Sequence, residues 1–293
     1  MRQATVIVVL IVLSLIPRSA FAGAWTLPSG RAWAKVASLW QQADEFYATQ
    51  SAVLPDGSTV RPGDRRPYDD NGQSEQFVLW MEAEYGVTDR LTLGVQTAWK
   101  NLRYEDDFTV SKSWGIGDSW AVARYAILTG QQRLSARSSV KFPTGEFSTE
   151  VGHIPIGENQ YDWDMGLQWG MSLGRELSWL GLESLYRVRF EDDSREFDPG
   201  DEWFVRADGG WGFTRRTGLK VSWVSQRGDE TSLNFFAPGT DLNRNYDQIE
   251  GFLMFDTPWV FVEAGASWVI ASESWPAAPL WSLSVARAFS LRE

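Results

Sequence analysis

Apolar and polar residues alternate along much of the chain, most clearly from Tyr161 to Leu173. Its odd positions are large and apolar, whereas its even positions are small or polar. Successive side chains of a β-strand point to opposite faces, so this period of two predicts a strand with one apolar and one polar face. A strand that crosses a membrane needs about 9–11 residues with lipid on one side. A half-buried strand of a soluble sandwich would rarely alternate for so long, so the segment predicts a transmembrane strand.

The same alternation recurs along the chain and predicts about twelve strands. Long polar connections, including one at 101–114, alternate with short turns. An unpaired strand edge in lipid would leave backbone groups unsatisfied, so we expect an all-β fold, a closed antiparallel transmembrane barrel with extracellular long loops and periplasmic termini. The predicted strands lie at 31–42, 77–85, 91–100, 117–128, 133–142, 161–173, 180–190, 203–213, 219–223, 248–255, 260–270 and 280–291.

The first residues have the features of a targeting segment. Arg2 precedes an apolar run from Ala4 to Ile16, which is too short to span a bilayer as a helix, and Ala20-Phe21-Ala22 matches a cleavage site. We therefore expect residues 1–22 to be a signal peptide and residues 23–293 to be one barrel domain. The segment from Gly23 to Gly30 is too short for a globular plug. Export without a spanning helix predicts the outer membrane of a Gram-negative cell.

Composition supports this interpretation and excludes several kinds of chemistry. The chain has 17 Trp, and a surplus of this kind is typical of the aromatic girdles at the two membrane interfaces. It has no Cys, which excludes disulfides and thiolate chemistry. The net charge of -11 argues against binding to nucleic acid. We expect no metal and no cofactor. The single histidine, His153, lies near Ser148 and Glu150, but nothing in the sequence fixes a nucleophile beside it, so we expect no enzyme activity.

The inward faces of neighbouring predicted strands carry charges whose sign alternates from strand to strand. These charges allow two interpretations. They could form a polar constriction that selects or orients a solute, or they could neutralise one another inside a narrow barrel and only brace it. We favour bracing. The candidate lumen residues are Lys141, Asp162, Asp164, Arg187, Arg189, Glu202 and Arg206.

One long loop contains two adjacent aromatic residues, Phe235 and Phe236, in polar surroundings. Exposed aromatic pairs of this kind are often functional. Our hypothesis is that the loop folds inward and caps the lumen or contacts an apolar solute. The expected partners are outer-membrane lipid, lipopolysaccharide and a small-molecule solute, and we expect a monomer; any periplasmic partner is unknown.

Two motifs resemble a known family. Gly115-Ile116-Gly117-Asp118 opens one strand, and Lys141-Phe142-Pro143-Thr144-Gly145 ends the next one. A turn with the sequence Tyr85-Gly86-Val87-Thr88-Asp89-Arg90-Leu91 accompanies them. This combination resembles the MetA-pathway of phenol degradation family of outer-membrane proteins. The resemblance covers roughly Glu82 to Leu173 and implies transport of small, including aromatic, compounds.

The sequence therefore favours an outer-membrane channel or transporter for small solutes, including aromatic or apolar ones. One alternative is a non-conducting structural or partner barrel in an envelope export assembly, for example for polysaccharide secretion. A lipid-modifying membrane enzyme is the third interpretation. A channel needs an open path past the lumen charges, whereas a partner barrel needs a sealed lumen.

Overall fold

The computed structural model of the chain describes residues 23–49, 51–53, 57–148, 150, 152–191, 197–229, 232–233, 245–273 and 275–291. The predicted signal peptide and Phe235 and Phe236 lie outside the described residues. Within the described part, no helix is long and apolar enough to cross a membrane.

One antiparallel sheet forms almost all of the described structure, and it contains the twelve strands that the alternation predicts. Thirteen strand segments belong to it, of which Val110–Ile116 and Ser119–Thr129 both pair with the same neighbour and form one interrupted strand. The strands are β1 (Arg31–Ala43), β2 (Gln73–Gly86), β3 (Leu91–Glu105), β4 (Val110–Ile116 with Ser119–Thr129), β5 (Gln132–Phe142), β6 (Asp162–Ser172), β7 (Trp179–Arg189), β8 (Glu202–Gly212), β9 (Thr217–Gly228), β10 (Tyr246–Asp256), β11 (Phe261–Ser272) and β12 (Leu280–Ser290).

The sheet closes on itself because the last strand pairs with the first. Each strand pairs with its neighbours in the chain, and β12 pairs with β1 from Arg31↔Ser290 to Trp40↔Trp281. Closure removes both sheet edges, which is the condition for a β-structure in lipid. The connections after β2, β4, β6, β8 and β10 are short and lie at one end, here called the short-turn rim, together with the start of β1 and the end of β12. The long connections lie at the other end, the long-loop rim.

The outer surface of the barrel is apolar, as the alternation predicts. Leu167 in the middle of β6 is 51% exposed, although it belongs to a residue type that soluble proteins bury. Aromatic side chains project outward near both ends of the strands, which matches the two girdles of a membrane barrel. The exposed members include Trp40, Phe142, Tyr161, Trp163, Trp203 and Trp281 toward the long-loop rim, and Trp211, Phe213, Phe255 and Trp259 toward the short-turn rim.

The predicted loop at 101–114 is wrong for most of its length. The strand β3 continues to Glu105, which pairs with Val110, and only residues 106–109 turn. Asp106 closes this turn by accepting hydrogen bonds from the backbone N–H groups of Phe108 and Thr109, and these bonds hold the pKa of its carboxyl group below the usual value. The hairpin carries polar residues on both faces, so a search for one apolar face does not detect it.

Two other long connections pack together at the long-loop rim. The backbone N–H of Tyr47 donates to the carbonyl of Trp275 at 2.9 Å, and Gln41 on the inner face of β1 donates to the carbonyl of Ala278 at 2.7 Å. Phe46 stacks on Tyr68 with 4.9 Å between the ring centres. The first two contacts hold the β11–β12 loop against the β1–β2 loop and β1, whereas the Phe46–Tyr68 stack lies within the β1–β2 loop.

The apolar outer face predicts how charge is tolerated at different depths. Leu167→Arg places a charge at the middle of β6 and should cost roughly 2–4 kcal/mol of unfolding free energy, whereas a charge near an interface costs about 0–1 kcal/mol. Leu173→Arg, just beyond the end of the same strand, is the matched control. Reversible urea unfolding in lipid vesicles measures both. Equal losses for the two variants would contradict a membrane-embedded outer face.

Candidate functional site in the lumen

The inner face of the barrel carries a network of ion pairs near the long-loop rim. Lys141 on β5 is 2% exposed and lies 2.7 Å from the carboxylate of Asp162 on β6. It also pairs with Glu158 from the β5–β6 loop and lies 3.8 Å from Asp118. A buried ammonium group needs several carboxylate oxygens to replace its lost hydration, and these three residues supply them.

A second centre of the same network is Arg187 on β7. Its guanidinium lies 2.7 Å from Asp164 on β6 and 2.9 Å from Glu202 on β8, so it bridges three neighbouring strands. Arg189 lies 3.2 Å from another oxygen of Glu202. The guanidinium of Arg187 also lies over the ring of Trp120 on β4, at 4.9 Å from the ring centre. Cation–π contact and ion pairing together fix this side chain in one position.

The structure places all seven predicted lumen residues on the inner face and brings six of them into this network. Arg206 is the exception: both its terminal nitrogens bind Glu250 on β10, at 2.7 and 3.0 Å. Glu202 therefore does not serve as its partner, although the two residues lie close in sequence.

Sequence reasoning missed a second group of ion pairs on the wall from β8 to β1. Lys35 on β1 and Lys220 on β9 both bind Glu263 on β11, at 3.1 and 2.9 Å. Glu250 was also not singled out, and neither were Glu84 and Glu183, which pair with Arg124 at 3.1 Å and with Arg137 at 2.7 Å on the other wall. Their positions could have indicated them, since each is a charged residue at an inward-facing position of an alternating strand.

Residues of the two motifs, Gly115 to Asp118 and Lys141 to Gly145, hold the β5–β6 loop inside the barrel. Asp118 accepts hydrogen bonds from the backbone N–H groups of Gly145 at 3.0 Å and Glu158 at 2.9 Å. Lys100 on the inner face of β3 donates to the carbonyl of Ile156 at 2.8 Å, and Ile156 is only 3% exposed. The loop is thus anchored on β3, β4 and β5 and narrows the lumen from that side. His153 lies on this loop as an exposed residue.

Glycine is required where this loop meets the motif. A Cβ atom added to Gly157 would lie 2.6 Å from a carboxylate oxygen of Asp118 and 2.6 Å from the carbonyl oxygen of Gly145. A Cβ atom on Gly145 would lie 2.7 Å from the Cα of Gly157. The contacts between Gly145 and Gly157 are to backbone atoms, which cannot move aside without moving the loop. The two glycines therefore allow the backbone at Gly145 to cross close to the backbone at Gly157.

The segment before β1 also enters the lumen, which the sequence did not predict. Ser135 on β5 donates to the carbonyl of Ala24 at 2.6 Å, and the N–H of Leu27 donates to Thr92 on β3 at 2.8 Å. Leu27 is 1% exposed, so the contact excludes water. A side chain on Gly170 of β6 would collide with the ring of Trp25. The segment fills the short-turn side of the wall from β2 to β6, although it is too short to be a globular domain.

The fold is similar to that of solved outer-membrane proteins. The COG4313 outer membrane channel from Pseudomonas putida F1 matches with a TM-score of 0.68 and 19% sequence identity, over 93% of this chain and 100% of that chain. The translocator domain of autotransporter NalP from Neisseria meningitidis gives 0.46 at 10% identity, over 88% of each chain. A FadL homologue from Pseudomonas aeruginosa gives 0.41 at 10% identity, over 90% of this chain and 91% of that chain. No protein-family model matches this chain, and no curated protein matches it in sequence.

The crossing of motif and loop predicts the effect of one methyl group. Gly157→Ala should displace the loop and cost about 1–3 kcal/mol, the usual range for an overpacked site. Cleavage by a glutamate-specific protease at Glu146 and Glu150 should become faster. Gly115→Ala is the control, since a Cβ atom there meets nothing within 4 Å. Equal cleavage rates in the two variants would show that the crossing does not hold the loop.

The buried network predicts a large cost when its central cation is removed. Lys141→Met leaves the fully buried Asp162 without its nearest cation, and breaking such a pair typically costs about 3–5 kcal/mol. Adding Asp162→Asn removes the uncompensated charge and should recover part of the loss. Urea unfolding of the single and double variants measures both effects. A loss below about 1 kcal/mol for Lys141→Met would contradict a tightly coupled network.

Proposed function

We propose that this protein is an outer-membrane channel for small solutes. The main observation behind this proposal is that the outer face of the barrel is apolar, whereas the lumen is charged and its arginine side chains are in contact with water. The side chains of Arg187 and Arg206 are each 27% exposed although they point into the barrel. Charged groups in contact with water inside a closed barrel are the lining that a polar channel requires.

Four further points support the proposal. The signal peptide expected at residues 1–22 would export the chain, and the aromatic girdles fit a bilayer. The motifs that resemble the MetA-pathway of phenol degradation family hold a loop in the lumen, where it can restrict which solutes pass. The similar barrel from Pseudomonas putida F1 is described as an outer membrane channel. The resemblance favours small aromatic compounds among the solutes, and the barrel would act as a monomer in lipopolysaccharide-containing membrane.

The test is whether ions cross through the lumen itself. The natural sequence has no cysteine, so a single introduced thiol can be modified selectively. We expect the refolded protein to give discrete conductance steps in a planar bilayer. A bulky thiol reagent should lower the conductance of Arg206→Cys, whose side chain faces the lumen. The neighbouring Val205→Cys on the outer face of β8 is the matched control and should not respond.

A second candidate function is favoured by one observation. Both the segment at 24–30 and the β5–β6 loop occupy the lumen, as expected for a sealed partner barrel in an envelope export assembly. A protein that is folded by circular dichroism and heat-modifiable migration but gives no conductance would overturn the channel and favour this alternative.

A further inference from the structure

The ion pairs of the lumen are not oriented at random. The side chain of Arg187 is 27% exposed, whereas the side chains of Asp164 and Glu202 are each 4% exposed. The carboxylates therefore lie against the wall, and the cation stands between them and the water. This orientation points the positive end of each pair toward the lumen.

The pairs on the adjoining wall from β8 to β1 repeat this orientation. Arg206 is 27% exposed and its partner Glu250 is 10% exposed. Lys35 is 24% and Lys220 is 17% exposed, whereas the carboxylate that they share, Glu263, is 10% exposed. Glu82 on β2 lies directly opposite Lys35 in register, so a second carboxylate stands beside these ammonium groups, and it is their exposure relative to Glu263 that repeats the orientation seen at Arg187.

The four exposed cations form a descending series along the barrel. Arg187 lies two residues from the end of β7 at the long-loop rim, and Arg206 lies four residues from the corresponding end of β8. Lys220 and Lys35 lie near the short-turn ends of β9 and β1. The series, named here the cation series, thus extends from near one rim to near the other.

The inserted segments lie on the other wall. Ala24 and Leu27 bind β5 and β3, and Asp118 and Lys100 anchor the β5–β6 loop on β4 and β3. In a closed barrel of twelve strands, the wall from β8 through β12 to β1 faces these anchors. A solute that passes beside the inserted segments therefore moves along the wall that carries Arg206, Lys220 and Lys35.

One exposed carboxylate has the opposite orientation. Glu158 is 25% exposed and pairs with Lys141, which is 2% exposed. It belongs to the inserted loop, so it lies on the anchored side rather than along the cation series. The other pairs on that side expose acid and base almost equally, at 10% each for Arg124 and Glu84 and at 16% and 13% for Arg137 and Glu183, so the clear excess of exposed positive charge belongs to the cation series.

We infer that the lumen conducts small anions in preference to cations, with the cation series as its selective lining. This inference rests on the proposed channel function and names its solute class. In a narrow lumen with low-dielectric walls, fixed charges focus the field and raise the local concentration of the opposite ion. The net charge of -11 belongs to the whole chain and does not describe this lining.

The test is the reversal potential of the full-length mature protein in a planar bilayer under a gradient of potassium chloride. We expect chloride to permeate faster than potassium by a factor of roughly 3 or more, since a potential of one or two kT in a narrow lumen is sufficient. A ratio at or below 1 overturns the inference and leaves the channel function standing. A folded protein without conductance overturns the channel function itself.

Matched variants separate the cation series from general electrostatics. Arg206→Gln and the double variant Lys35→Gln/Lys220→Gln should each lower the chloride-to-potassium ratio, since each removes positive charge that faces water. Glu250→Gln removes the recessed partner of Arg206 and should leave the ratio unchanged or raise it. If Arg206→Gln leaves the ratio of the natural protein unchanged, the cation series is not the selective lining. Heat-modifiable migration on gels confirms that each variant is folded.

Discussion

The rest of this structure depends on the need to pair every backbone group without help from water. In a bilayer, an unpaired N–H or C=O group costs several kcal/mol, so the strands must pair on both sides and the sheet must close. Closure fixes one face of each strand against lipid and the other against the lumen. The apolar residues at odd positions of β6 and the polar ones at even positions are the direct consequence.

The same constraint shapes the interior. A closed barrel of this size leaves little room, and the backbone of any inserted segment must pass close to the wall. Gly157 and Gly170 lie where such segments cross. A Cβ atom at Gly157 would overlap Asp118 and Gly145, and one at Gly170 would overlap the ring of Trp25. Loops and termini inside the lumen also bring their own backbone polar groups, which Asp118, Ser135 and Thr92 satisfy.

Much of the fold follows from the sequence, because alternation reports which face meets lipid. The alternation from Tyr161 to Leu173 predicts β6 to within a residue at each end. The hairpin that carries Glu105 and Val110 was missed because both of its faces carry polar residues, so that neither face is continuously apolar. Asp118 was recognised as part of a motif, but its role requires the loop to fold back and cannot be read from spacing.

Ion-pair partners in the lumen are predictable only in part. Lys141 and Asp162 are directly opposite in register, so adjacent strands and alternation are enough to pair them. Arg206 instead binds Glu250 on β10, which lies beyond β9 at about 10 Å or two strand spacings. The long arginine side chain can span that distance, and the tilt of the strands determines which residue of β10 lies at its height. The position of Trp25 is equally hard to predict from the sequence, because its only trace there is a glycine at position 170.

Bracing and selection, which the sequence presented as alternatives, need not exclude each other in this lumen. A carboxylate that lies against the wall accepts bonds from its neighbours and fixes the strands, while the longer guanidinium or ammonium side chain paired with it extends into the water. Ser284 and Lys35, for example, both donate to Glu263, which is 8% exposed as a residue. A pair that stabilises the wall through its acid can therefore present its base to a solute, and the difference in side-chain length determines which charge faces the lumen.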